Sequence, residues 1–168
     1  MEPGYPKVQI VDENDNVIGS EYLFDAIKMN AIRRASRIFV FDADGNFLIQ
    51  KRSASVIKPL LFDQSVGGHV DEGETYYDAA VREMKEEIGL ENCELKEIVT
   101  SYKTLDFFNT IYTTQVDVST EIKFDSDEID CVSWLPSEEV DSLVTETPEL
   151  CTKGFVQIWK EFRGIMVK

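Results

Sequence analysis

Apolar residues recur along the chain with two periods, and the switches between them mark its elements. Residues 7–23 hold two short apolar runs around Glu13-Asn14-Asp15-Asn16, which predicts a β-hairpin. Residues 22–34 place Leu23, Phe24, Ile27, Met29 and Ile32 without a firm period, so a short helical or irregular segment is expected. A clearer hairpin follows: residues 38–41 are rich in β-formers, 42–46 carry turn chemistry (Asp-Ala-Asp-Gly-Asn), and 47–50 return. Residues 53–63 contain Pro59 and no period, a loop pattern, and 64–66 form a short strand running into Gly67 and Gly68.

The strongest helical pattern spans residues 75–88. Thr75 followed by Asp78 resembles a capping box, and Gly89 stands where a left-handed C-terminal residue is wanted. At about 100° per residue, Tyr77, Ala80, Val81, Met84 and Ile88 share the expected apolar face. Beyond it, 95–102, 110–118 and 129–135 read as strands, and Pro136-Ser137-Glu138-Glu139 opens a short helix. Phe155, Ile158, Trp159 and Phe162 mark an amphipathic C-terminal helix, with Trp134 and Trp159 read as core. No repeat or linker interrupts the pattern. The chain reads as one α+β domain over residues 1–168, with 1–34 as an N-terminal hairpin or extension.

Charge sharpens this picture. The net charge of −15 is concentrated in two stretches. Residues 117–149 hold eleven acids and one base, residues 71–87 hold seven acids and two bases, and the rest sums to zero. No basic stripe exists to bind a nucleic-acid polymer or an anionic membrane surface. No apolar run approaches the roughly 20 residues of a membrane span, and residues 1–6 show no secretory signal. Three widely spaced cysteines, Cys93, Cys131 and Cys151, suggest neither a disulfide framework nor a zinc site, so a reducing, cytoplasmic location is expected.

Within the acidic helix, Glu83, Glu86 and Glu87 stand at i, i+3 and i+4 and project to one side, adjoining the apolar face. Like charges at this spacing repel. A bound divalent cation removes the penalty, and clustered carboxylates are what Mg²⁺ or Mn²⁺ prefers.

Residues 68–90 carry Gly68, Glu74, Arg82, Glu83, Met84, Glu86, Glu87, Gly89 and Leu90 at the fixed positions of the Nudix box, G-x5-E-x7-R-E-U-x-E-E-x-G-U. For this composition the seven invariant letters coincide by chance at about 10⁻⁸ per start position. The chain thus resembles the Nudix hydrolases. That resemblance implies an α/β/α sandwich around a central mixed sheet and Mg²⁺- or Mn²⁺-dependent cleavage of a diphosphate linkage. The substrate class it implies is a nucleoside-diphosphate-X or a similar small organic diphosphate. It also implies that Glu83, Glu86 and Glu87 bind metal, that Glu74 pairs with Arg82 to brace the loop, and that the Gly67 carbonyl completes the metal shell. Glu128, in the acidic stretch, is the candidate for a further ligand or base; Glu86 and Glu87 remain alternatives for the base. Specificity would be set by the loops 53–63 and 102–109.

Lys51 and Arg52, at a strand end, are candidates to clamp the second phosphate. Gly68 and His69 complete the expected substrate-binding set. Phe107, Phe108 and Tyr112 are available to stack on a flat group.

A narrower similarity covers most of residues 8–90. Residues 11–19, 48–53 and 63–69 resemble the isopentenyl-diphosphate isomerase branch of the superfamily. That branch, however, carries a catalytic cysteine where this chain has Gly67, and it uses several histidines where this chain has His69 alone. Hydrolysis is therefore the expected chemistry, with isomerisation and a non-catalytic binding module as the alternatives. The N-terminal hairpin could pair two chains, and a homodimer is expected; a monomeric mass by light scattering would dismiss it.

Overall fold

The structure, a computed structural model, describes residues 6–167. The stretch 1–5, most of the segment read as lacking a secretory signal, lies outside those residues. The N-terminal hairpin forms as β1 (Lys7–Val11) and β2 (Val17–Tyr22), followed by a short α1 (Leu23–Lys28). The irregular segment expected to residue 34 ends sooner, because Ile32 and Arg33 pair with Val11 and Ile10 and so begin β3 (Ile32–Phe41).

β3 is the axis of a mixed sheet. Along one edge it runs parallel to β8 (Phe107–Gln115), from Arg33 opposite Phe107 to Phe41 opposite Gln115. That register starts β8 three residues earlier than the expected 110–118. Three strands share the other edge: β1, then β6 (Val66–His69) opposite Ala35–Ile38, then β4 (Asn46–Arg52), which touches β3 only at Phe41–Phe47. β4 diverges to pair with β9 (Ile129–Pro136) and with the two-residue β5 (Phe62–Asp63), which closes the expected loop. β7 (Lys96–Lys103) flanks β8.

Strand alternation sends side chains to two cores. Phe39, Phe47, Ile49 and Ile111 pack against α3 (Ser137–Glu146) and α4 (Lys153–Met166) through Val140, Phe155, Ile158 and Trp159. Ile38, Val40, Leu48 and Tyr112 pack against α2 (Tyr76–Ile88) through Ala80, Met84 and Ile88. The result is a helix–sheet–helix sandwich. Trp159 is buried as expected, whereas Trp134 is only half-buried at the rim of the second core.

The capping box and the left-handed Gly89 of α2 both form. The buried face of α2 is turned from the one expected: Tyr77 and Val81 are 49% and 43% exposed, while Ala79 and Glu87 point inward with Ala80, Met84 and Ile88. Two adjacent alanines let the helix approach the sheet on that side, and the rotation carries a carboxylate into the interior.

The N-terminal hairpin is not an appendage. Its turn residue Asp15 is buried and accepts hydrogen bonds from Arg34 Nε (2.8 Å), Tyr76 Oη and Ser101 Oγ, joining β3, α2 and β7. Gln9 of β1 donates to the carbonyls of Asp71 and Glu74, which ties down the loop before α2. The three cysteines are free thiols, and among the described residues no helix is long and apolar enough to cross a membrane.

Candidate active site

The site begins at the glycines of β6. Gly68 pairs with Ser36, and Glu83 of α2 lies directly over it: a Cβ there would stand 2.1 Å from the Glu83 carboxylate carbon. The loop 70–75 then turns through Gly73 (φ +84°). Glu74 fastens it by accepting from the Asp71 amide at 3.0 Å.

Arg82 is the hub. Its Nε and Nη2 grip both oxygens of Glu74 (2.7 and 2.9 Å), Nη1 donates to Glu83 (2.7 Å) and Glu86 (3.1 Å), and Nη2 also reaches the His69 carbonyl (3.1 Å). The expected Glu74–Arg82 brace is therefore present. Arg82 holds the Glu74 carboxyl below its ordinary range, mainly through that hydrogen bond, and its own pKa is raised in return.

The three box glutamates occupy different depths. Glu87 is 4% exposed and accepts from Gln50 Nε2 at 2.9 Å; Glu83 is mostly buried; Glu86 is 58% exposed. Burial pushes the Glu83 carboxyl up to about 7, against the pull of Arg82. Burial also pushes Glu87 well above the carboxylate range, with Glu83, Glu128 and Asp63 adding repulsion. Glu128, on the loop before β9, is raised by burial and by Asp125, and its charge acts on both Glu83 and Glu87. Four carboxylates thus face one region. Arg82 holds Glu83 and Glu86 and Gln50 holds Glu87 in separate hydrogen bonds, and among the described residues no three acidic, His or Cys side chains are gathered at metal-binding spacing.

The expected phosphate clamp is divided. Lys51 projects to the opposite face of β4 from Gln50, lining a separate cleft with Ile49, Phe62 and Leu143 and standing 3.8 Å from Asp130. Arg52 stays nearer, but its guanidinium is committed to the Ile57 carbonyl and to Asp63 (3.5 Å). His69 braces the loop through its carbonyl, while its ring Nε2 is buried without a partner among the described residues. The aromatic candidates are also engaged. Arg33 and Arg37 lie over Phe107 at 4.6 and 5.4 Å, Phe108 is buried beneath Lys103, and Tyr112 is buried beside Tyr77.

Sequence reasoning missed Gln50, Gln64, Arg33 and Arg37. Gln50 alternates with Lys51 on a strand, and Arg33 and Arg37 occupy one face of β3. That period-2 spacing was the available signal, but only the strand pairing reveals what lies opposite.

Two outcomes test this geometry. Gly68→Ala should fold, since the Glu83 side chain can swing away, yet displace that carboxylate and lower turnover by about 10²-fold; a rate within threefold of the parent would contradict it. The second concerns pH. In chelator, Glu83 titrates higher folded (about 7) than unfolded, so the folded state binds the extra proton. The stabilisation is complete below the unfolded carboxylate range and is lost as pH rises through about 7. The melting temperature of metal-free protein should therefore fall by about 3–6 °C between pH 5.5 and 8. Glu83→Gln should flatten that slope, and equal slopes would contradict it.

Comparison with known proteins accords with the fold and the box. The NUDIX domain family model matches residues 31–151. An uncharacterised Nudix hydrolase of Nostoc sp. is 35% identical over 143 residues, 81% of this chain and 84% of that protein. An isopentenyl-diphosphate Delta-isomerase of Photorhabdus laumondii is 31% identical over 156 residues, 89% of this chain and 88% of that one. The crystal structure of DR0079 from Deinococcus radiodurans superposes with a TM-score of 0.82 at 25% identity, covering 92% of this chain and 98% of that one. The chain belongs to the Nudix family, whose hydrolases act on pyrophosphate bonds, generally with divalent metal ions.

Proposed function

We propose that this protein hydrolyses the diphosphate linkage of a small organic diphosphate by metal-dependent attack of water at phosphorus. The observation that carries the reading is the pair of buried carboxylates, Glu83 and Glu87, facing each other and Glu128, with Arg82 paired directly only to Glu83 among these three. Such a set is costly in isolation and is relieved by a hard divalent cation. The donors suit Mg²⁺ or Mn²⁺: the carboxylates of Glu83, Glu86 and Glu87 and the Gly67 carbonyl would hold it, which leaves Glu128 beside them to act as base. Once bound, the cation supplies positive charge against the diphosphate oxygens and acidifies water.

The chain's own groups do the rest. Arg82 and Glu74 fix the helix against its loop, so that Glu83 and Glu87 keep their orientation. Gln50 holds Glu87 by one oxygen. Glu128 takes the proton from the attacking water in this reading, because Glu86 is occupied by Arg82 and Glu87 by Gln50. Arg52 contributes charge; it acts on Arg37, His69 and Glu128 without leaving its loop contacts.

Isomerisation fits less well. A Cβ at Gly67 would stand 2.6 Å from Gln64 Nε2 and 3.0 Å from Arg37 Nη1, so these side chains fill the place a cysteine would need. The test is phosphate or nucleotide release from a panel of diphosphates with Mg²⁺, Mn²⁺ or chelator. Isopentenyl diphosphate is included and analysed for rearrangement. Metal-dependent release supports the proposal. Rearrangement without hydrolysis, or metal binding with no turnover on any compound, counts against it.

A further inference from the structure

On the α4 face of the sheet, beside the carboxylates but not among them, lie polar side chains that the described residues satisfy only in part. Gln64 is 1% exposed, and neither its Nε2 nor its Oε1 has a hydrogen-bond partner among the described residues. Arg33 is 6% exposed with an unpartnered Nε, and the His69 Nε2 is likewise orphaned. Arg37, between them, forms no ion pair among the described residues; only its Nε is used, donating to Asn109 Oδ1 at 3.1 Å. Buried polar atoms without a hydrogen bond each cost about 1–3 kcal/mol, so these four, Gln64 Oε1 an acceptor among them, need an explanation.

Their arrangement suggests one. Gln64 Nε2 and Arg37 Nη1 converge on the space that a Gly67 side chain would occupy. The first turn of α4 meets the other end of the same guanidinium, with the Cβ position of Gly154 3.9 Å from Arg37 Nη2. Among the described strands β6 pairs with β3 and with no other. Glu83 and Glu87 act electrostatically on Arg37, as neighbours of one site do.

We propose that Arg37, Gln64 and Arg33, with the His69 ring, form an anion site that takes the terminal phosphoryl group of the substrate. This rests on the hydrolase reading above and narrows it: the preferred substrate is a diphosphate monoester, an organic diphosphate ending in a free phosphate. Diphosphates esterified at both ends are the poorer class. A terminal phosphoryl group is close to a dianion at neutral pH and presents three acceptor oxygens, which suits two guanidiniums and an amide. A doubly esterified diphosphate has no such group. Recognition by charge also agrees with the fate of Phe107, whose ring is taken up by Arg33 and Arg37. Asp106, the acid paired with Arg33, is exposed and 4.0 Å away, leaving that cation only partly offset.

The experiment has a binding arm and a kinetic arm. In chelator, calorimetry with inorganic phosphate and with pyrophosphate compares the parent with Arg37→Met, which keeps a stem to pack on Phe107, and with Gln64→Leu. Melting curves confirm that each is folded. Either variant should lose about tenfold or more in affinity. With Mg²⁺, kcat/KM for isopentenyl diphosphate and a nucleoside diphosphate should exceed that for ADP-ribose and a sugar nucleotide. Arg37→Met should erase the preference, mainly through KM. Equal use of both substrate classes, or folded variants that bind phosphate like the parent, overturns the proposal even if hydrolysis is confirmed. Absence of all turnover rejects the hydrolase reading, and phosphate binding in chelator then still decides whether the anion site exists.

Discussion

Glu87→Gln is expected to reduce metal-dependent turnover by about 10³-fold while leaving the chelated protein at least as stable as the parent. The two effects share one cause. Glu87 is buried with an amide, not a cation, as its hydrogen-bond partner, and its neighbours Glu83 and Glu128 repel it. Glutamine keeps the shape and can still accept from Gln50, but it removes the charge that a divalent cation would need. Without metal, loss of a buried charge relieves repulsion; with metal, it removes a ligand. Melting temperatures with and without Mg²⁺ read the first effect and rates at saturating Mg²⁺ the second. Turnover within tenfold of the parent would show that Glu87 is not a ligand.

Arg82→Ala is expected to have the largest effect on stability, about 2–4 kcal/mol, measured by denaturant unfolding in chelator. The guanidinium binds Glu74 through two nitrogens, Glu83, Glu86 and the His69 carbonyl, and stands 3.4 Å from Asp71. Its removal leaves a mostly buried Glu83 without a counter-charge and frees the loop from the helix. Arg82→Lys should recover only part of the loss, because an ammonium cannot reproduce the two-pronged contact with Glu74. A loss below about 1 kcal/mol for Arg82→Ala would mean that the backbone contacts from Gln9 already suffice to hold the loop. The two substitutions separate the roles: Glu87 should act on turnover with little effect on folding, Arg82 on both.

Much of this was legible in the sequence because the relevant geometry is local. A helix fixes i, i+3 and i+4 neighbours by its pitch, so Thr75, Asp78, Arg82, Glu83, Glu86, Glu87 and Gly89 declare a capped helix with acids along one side. The Glu74–Arg82 brace and the two-sided packing of the sheet agree with that reading. Depth was not legible. Whether Glu86 or Glu87 turns inward depends on the rotation of α2 against the sheet, which is set by how closely Ala79 and Ala80 let it approach.

The phosphate clamp shows the same division. Lys51 and Arg52 were conspicuous as adjacent cations at a strand end, but alternation sends Lys51 to the far face, and Asp63 and the Ile57 carbonyl hold Arg52. Arg33, Arg37 and Gln64 were inconspicuous because the two arginines stand apart on β3 and Gln64 lies far along the chain, between β5 and β6. The sequence by itself determined the helix, its caps, the spacing of its acids and the family to which they belong, since these are written within a few turns of one element. Only the tertiary structure decided which carboxylates are buried and which groups stand opposite each cation. Those properties arise when elements distant along the chain come together, α2 against β4 and β6 around the carboxylates and β3 against β6 and α4 around Arg37, and exclude water from polar groups.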